Sequence, residues 1–237
     1  MSTNSSLRVL SALKNLFVTS ETKTYSIQSG AFQGIKLKLD LSHQTQLFLG
    51  LYEREVFYWL NKLSKAIDSA IDIGAAEGEY TLYFLLKSRA RRVFSFEPQA
   101  TCRESLIANL KINQVNLDDE RLILSSNLVG SGNGQDFCTL DALLPNITTP
   151  CLVKMDVDGG EVDILKGSKL LLEREDVAWI VETHSKQLEE NCLCIFEKNG
   201  YHTKIIPNAW WRVFIPELRV GPLGSHNRWL IATKSTL

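Results

Sequence analysis

The sequence predicts an α/β protein: a Rossmann-like, doubly wound, seven-stranded sheet with an antiparallel last strand, plus an N-terminal helix and hairpin extension. Three observations carry that expectation. From residue 67 onward, short apolar segments alternate with amphipathic ones. A glycine-bearing turn, IDIGAAEGEYTL at 71–82, joins a strand to a helix. Two late strands, around YHTKII and RWLIATK, leave no room for a normal helix between them, so the last strand is expected to run back along the sheet.

Taken in order, residues 1–23 are polar with a short apolar rhythm and read as an arm or loose helix. TYSI and IKLKLDL follow, separated by a turn around Gly30 and Gly34. In IKLKLDL, Ile35, Leu37, Leu39 and Leu41 alternate with Lys36, Lys38 and Asp40, so 24–41 reads as a hairpin with one wet face. In YEREVFYWLNKL, Val56, Leu60 and Leu63 keep helical spacing. The organisation expected is an arm and hairpin over 1–49 and the main domain over 50–237.

AIDSAIDIG, RRVFSFEP, RLILSSN, CLVKMD and VAWIVET then supply short strands rich in Val and Ile. Cys102, Leu106 and Leu110 mark one intervening helix, and Leu188, Cys192 and Ile195 another, which stops at Asn199-Gly200. Strands separated by helices imply right-handed crossovers and a parallel sheet covered on both faces. The stretch 207–227, with its prolines, its glycines and Trp210-Trp211, suggests a substrate-side flap, although packing of the two tryptophans onto the sheet is the simpler role.

Composition excludes several classes. The formal net charge of -1 argues against broad nucleic-acid binding, and the run Lys87, Arg89, Arg91 and Arg92 suits a helix end. The N-terminus lacks the apolar core of a signal peptide, and no segment is long enough to span a bilayer. The five cysteines, at 102, 138, 151, 192 and 194, have no zinc-ligand spacing and fit a reducing compartment. A cytoplasmic protein without membrane or nucleic-acid partners is expected, with homo-oligomerisation open.

The chemistry is concentrated at strand ends. Asp72 closes the first strand of the main domain, and Gly74 and Gly78 let the backbone turn tightly beside a ligand. Glu97 ends the next strand, where an acid can accept hydrogen bonds from both ribose hydroxyls of an adenosine ligand. No arginine directly follows it, which disfavours a 2′-phosphate. Asp156, Asp158 and Glu161 follow the fourth strand and could bind a hard cation, although acids at a helix start have an ordinary electrostatic explanation. Glu182 and His184 end the fifth strand on the same edge, and an imidazole there suits proton removal near neutrality.

These pieces resemble the FkbM-like family of class I S-adenosylmethionine (SAM)-dependent methyltransferases. The resemblance runs from about Gly50 to the C-terminus, through GLYERE, IDIGAAEGEYTL, VFSFEP, TLDALL, LVKMDVDGGEVDILKG and VETH. Asp158 and Gly159-Gly160 depart from the Glu and Gly-Ala often found there. The resemblance implies SAM over the first strand ends, with Asp72, Gly74 and Gly78 at its methionine portion, Glu97 at its ribose, and Ser126-Asn127 at its adenine.

It also implies methyl transfer to a small-molecule acceptor, with Asp156, Glu182 and His184 as the catalytic candidates. The expected reaction is O-methylation of a hydroxyl on a sugar or natural product, metal-independent because no further ligand is identifiable. An NAD-dependent oxidoreductase shares the glycine turn and ribose acid but lacks the G-x-G-x-x-G spacing and a hydride-transfer constellation. A module that binds SAM without catalysis is the remaining alternative.

Overall fold

The computed structural model describes residues 21–132, 134–209 and 226–235. The N-terminal arm at 1–20, and Trp210 and Trp211 with most of the predicted flap, lie outside the described residues. Among the described residues, no helix is long and apolar enough to cross a membrane.

The chain enters through an antiparallel hairpin, β1 (Lys23–Ser26) and β2 (Lys36–Leu39). The strand IKLKLDL is shorter than its alternation suggests. Asp40 accepts from the Ser42 backbone N–H and caps a helix, α1 (Leu41–Leu49), so Leu41 has left the strand. The sequence reading missed this helix because LSHQTQLFL carries no continuous apolar stripe. Gly50, at φ +72°, ends it in the left-handed conformation. A short 3₁₀ turn at Arg54–Val56 then leads into α2 (Phe57–Leu63).

The main sheet is built from β3 (Ser69–Ile73), β4 (Arg92–Phe96), β5 (Leu122–Ser125), β8 (Cys151–Met155), β9 (Val177–Thr183), β10 (His202–Ile206) and β11 (Arg228–Thr233). Between β5 and β8, β6 (Leu128–Val129) and β7 (Phe137–Cys138) form a separate parallel pair. The order across the sheet is β10-β11-β9-β8-β3-β4-β5. β5, β4, β3, β8 and β9 run parallel, and β11 inserts antiparallel between β9 and β10.

The crossovers are α3 (Glu79–Lys87), α4 (Ala100–Ile112), α5 (Glu161–Lys166), α6 (Lys169–Glu173) and α7 (Lys186–Lys198). The chain leaves β3 toward β4 on one side and returns to β8 on the other. That reversal opens a crevice at the carboxyl ends of β3 and β8, where open α/β sheets bind ligands.

Period-2 alternation divides each strand between two cores. Ala70, Leu152, Ile180 and Trp229 face one core with α3, α4 and the hairpin, where Ile27, Phe32 and Leu37 are buried. Ile71, Val153, Trp179 and Leu230 face the other, with Ile164, Leu171 and Phe196. The hairpin is fastened by Asn109 of α4, which is fully buried. Its Oδ1 accepts from the Lys38 N–H at 2.9 Å and its Nδ2 donates to the Glu77 carbonyl at 2.9 Å. Asn109→Ala is expected to lower stability by about 2 kcal/mol, because it removes both part-buried hydrogen bonds and leaves the Lys38 N–H and the Glu77 carbonyl without this partner. Chemical denaturation checks this.

The cysteines make no disulfide among the described residues. Burial pushes the Cys192 thiol up to about 12 and the Cys151 thiol higher still, whereas Cys194 is exposed. Brief alkylation of the native protein at mildly alkaline pH should therefore label Cys194 and spare Cys151 and Cys192 until it unfolds. Mapping the adducts by mass spectrometry checks this.

Candidate active site

The turn after β3 is held by backbone contacts before any ligand is considered. The Gly74 and Ala75 N–H groups both donate to the Phe96 carbonyl at 3.0 Å, tying the turn to the end of β4. Gly74 sits at φ +74°, and a Cβ there would lie 1.9 Å from the Asp156 carbonyl oxygen. Its glycine is required first by the β8 loop. Gly78, at φ +91°, starts α3, and a Cβ there would meet Leu106 of α4 at 2.8 Å. The physical need for both glycines is close backbone packing.

Glu97 lies one residue past β4 and is almost fully buried. Its Oε2 accepts from the Ala76 N–H and its Oε1 from the Gln99 N–H, both at 2.8 Å. A carboxylate has about four acceptor positions, so each oxygen keeps one for a ligand hydroxyl. Ser126 and Asn127 follow β5 in the same row of strand ends. Ser126 is exposed, and the half-buried Asn127 donates its N–H to the Ser125 hydroxyl at 3.1 Å.

Asp72 projects toward α3 from inside the sheet. Its Oδ2 accepts from the Thr81 hydroxyl at 2.7 Å, and its Oδ1 lies 3.5 Å from the Lys154 ammonium. Sequence reasoning missed Lys154 as a site residue. The signal was available: a single lysine interrupts the apolar run CLVKM, in a strand buried on both faces. Lys154 is buried, donates to the Gly74 carbonyl at 3.0 Å, and sits 4.8 Å from the Tyr80 ring centroid and 3.8 Å from Asp156 Oδ2. Burial works against its charge, but the carboxylates of Asp72, Asp156, Glu53 and Glu79 outweigh burial and raise its pKa. Tyr80 in turn donates to buried Glu53 at 2.6 Å, so GLYERE reaches the site through Glu53.

The strand pairing explains how the remaining acids meet. β8 and β9 are parallel, with Met155 beside Val181. Asp156 and Glu182 directly follow this last pair, and His184 lies one residue past β9 with its Nε2 3.1 Å from Asp158. Asp156, Glu182 and His184 each bring a potential metal-ligand atom within 4.8 Å of the others. His184 Nε2 is 3.1 Å from Asp158 Oδ1 and 3.5 Å from Asp156 Oδ1, while Nδ1 faces Glu161 Oε1 at 3.6 Å. The Glu161 interaction, joined by the charges of Asp156 and Asp158, raises the His184 pKa above its usual value despite partial burial.

Glu161 is fully buried at the start of α5, whereas the Asp158 side chain is exposed. Asp163, another acid near that helix start, instead accepts from the backbone and hydroxyl of Ser131. Two neighbouring regions therefore lie along one sheet edge: a glycine turn bordered by Glu97, and an imidazole ringed by carboxylates.

Residues 135–209 match the Methyltransferase FkbM domain family. No curated protein matches the chain. A methyltransferase FkbM from Methylobacillus flagellatus KT superposes with TM-score 0.56 at 17% identity, over 75% of this chain and 47% of that one. This chain therefore spans about half the length of that relative. A precorrin-6y C5,15-methyltransferase from Geobacter metallireducens GS-15 gives TM-score 0.53 at 15% identity, covering 77% and 88% of the two chains. An rRNA methylase from Streptococcus thermophilus gives 0.52 at 10%, covering 77% and 98%. At these identities the likeness carries the fold.

Proposed function

We infer that this FkbM-like chain is a SAM-dependent methyltransferase whose acceptor is a hydroxyl of a small molecule, of the sugar or natural-product type. The observation that carries the reading is the placement of Glu97. It is buried at the strand end beside the glycine turn, has acceptor capacity to spare, and holds the Ala76 N–H of that turn. Such a carboxylate suits two adjacent ribose hydroxyls and also fixes the turn that would border the rest of the ligand.

SAM supplies an activated sulfonium methyl when bound. Transfer to an acceptor oxygen would form a carbon–oxygen bond as the carbon–sulfur bond breaks, with the bonding pair left on sulfur. The protein's task is alignment and removal of the hydroxyl proton. Gly74 and Gly78 would border the methionine portion with Asp72 behind them, and Ser126-Asn127 the adenine. Asp156, Glu182 and His184, on the neighbouring strand ends, would face the acceptor and govern loss of its proton.

The test is transfer of radiolabelled methyl from SAM to a panel of sugars and hydroxylated natural products. Glu97→Ala should weaken SAM binding by about 1.5–3 kcal/mol, the range for hydrogen bonds to a charged group. Undiminished SAM affinity in a folded Glu97→Ala protein would remove the ribose assignment. Label arriving on amines and never on hydroxyls would remove the acceptor class.

A further inference from the structure

The surroundings of His184 pose a charge problem. Nδ1 faces Glu161, a fully buried carboxylate whose Oε2 has no hydrogen-bond partner among the described residues. When the single proton of a neutral ring sits on Nδ1, 3.6 Å from Glu161, the lone pair lies on Nε2. That lone pair points among the oxygens of Asp156 and Asp158, at 3.5 and 3.1 Å. A lone pair facing carboxylates is repulsive unless a cation lies between them. The cation is either a second proton on the ring or a metal ion.

We propose that Asp156, Glu182 and His184 bind one divalent transition-metal ion of the Mn²⁺ or Zn²⁺ kind, with Glu161 as the buried carboxylate that orients the histidine. The donor set mixes one imidazole nitrogen with carboxylate oxygens, which suits ions of intermediate hardness. Around an ion with bonds of about 2.1 Å, ligand atoms stand up to roughly 4.2 Å apart, so the 4.8 Å spread of these atoms closes with a small side-chain adjustment. The sequence Glu161–His184–ion repeats the carboxylate–histidine–metal arrangement that fixes ring orientation in metal sites.

Asp156 can serve both neighbours. Its Oδ2 lies toward Lys154 and its Oδ1 toward His184. Lys154 does not stand in for the missing charge, because it is already shared with Asp72 and the Gly74 carbonyl. An ion at this position would lower the pKa of a coordinated hydroxyl, and the released proton could leave through exposed Asp158 to solvent. What the ion does for catalysis rests on the methyl-transfer reading above; that it binds does not.

The experiment is titration of the full-length chain with Mn²⁺ alone, without SAM or acceptor, followed by the loss of the free-ion electron paramagnetic resonance signal. A parallel titration uses Zn²⁺ and competes it against a chromophoric chelator. One ion per chain is expected for at least one metal. Affinity should drop by about tenfold or more in His184→Gln and in Asp156→Asn, and stay unchanged in Glu190→Gln, which removes an exposed acid elsewhere. His184 is partly exposed, so its variant keeps the test available should Asp156→Asn fail to fold. Absence of stoichiometric binding by both metals would overturn the proposal, as would binding that survives His184→Gln undiminished. Methyl transfer that persists in chelator-treated protein with no bound ion would overturn a catalytic role for the metal and leave both its binding and the methyltransferase reading intact, with the imidazole as base.

Discussion

Gly74→Val should lower stability by about 3 kcal/mol or more and abolish ligand binding in whatever protein remains folded. Two costs combine. A branched residue at φ +74° carries a left-handed penalty of about 1–2 kcal/mol. Its Cβ would also lie 1.9 Å from the Asp156 carbonyl, so the turn after β3 and the loop after β8 must separate. The obstacle is backbone on both sides, which yields far less readily than a side chain. Gly78→Ala makes the comparison informative: at φ +91° it carries a left-handed penalty too, but the atom it meets is a Leu106 side-chain carbon at 2.8 Å and not a backbone carbonyl. For a chain of this size about 1 kcal/mol corresponds to roughly 2–4 °C in Tm, so thermal melting separates the two variants easily. A Gly74→Val protein with unaltered melting and SAM affinity would show that the turn does not pack against Asp156.

Lys154→Met should be nearly as damaging, at about 3–5 kcal/mol. Removing one partner of a buried ion pair leaves the other without compensation, and methionine nearly matches the stem of lysine, so lost volume is a minor term. Asp72 would be the stranded carboxylate, since it is fully buried and has Thr81 as its remaining neutral donor. The double variant Lys154→Met with Asp72→Asn removes the stranded charge and should recover part of the loss. Denaturant titration of both singles and the double gives the coupling directly. Additive losses would show that Lys154 acts through packing and not through Asp72.

The fold was legible because its signals are periodic and local. Buried parallel strands read as runs such as VAWIVET, the glycine turn marks the first crossover, and Asn199-Gly200 marks a helix end where Gly200 takes φ +79°. What escaped was non-periodic. Helix α1 depends on Asp40 as a cap at the end of a convincing alternating strand, and alternation alone could not say where that strand stops.

The candidate site was legible residue by residue but not as an arrangement. Asp156, Glu182 and His184 each announce themselves as polar residues at strand ends. That Asp156 and Glu182 lie side by side follows from the register of β8 against β9, which no local pattern encodes. His184, just past β9, stands 3.1 Å from Asp158, a meeting that neither segment shows when read alone. Lys154 was overlooked because a strand lysine reads as a solvent-facing edge. Its burial is understandable only when the carboxylates gathered from β3, β8 and the GLYERE segment are seen together.

The crevice at the carboxyl end of β3, bordered by the glycine turn and Glu97, is the proposed seat of SAM. Calorimetric titration of the purified full chain with SAM, and separately with NAD, tests it most directly. One SAM per chain should bind saturably, with NAD giving no heat beyond dilution. Saturable binding of NAD, with SAM inert under the same conditions, would contradict it.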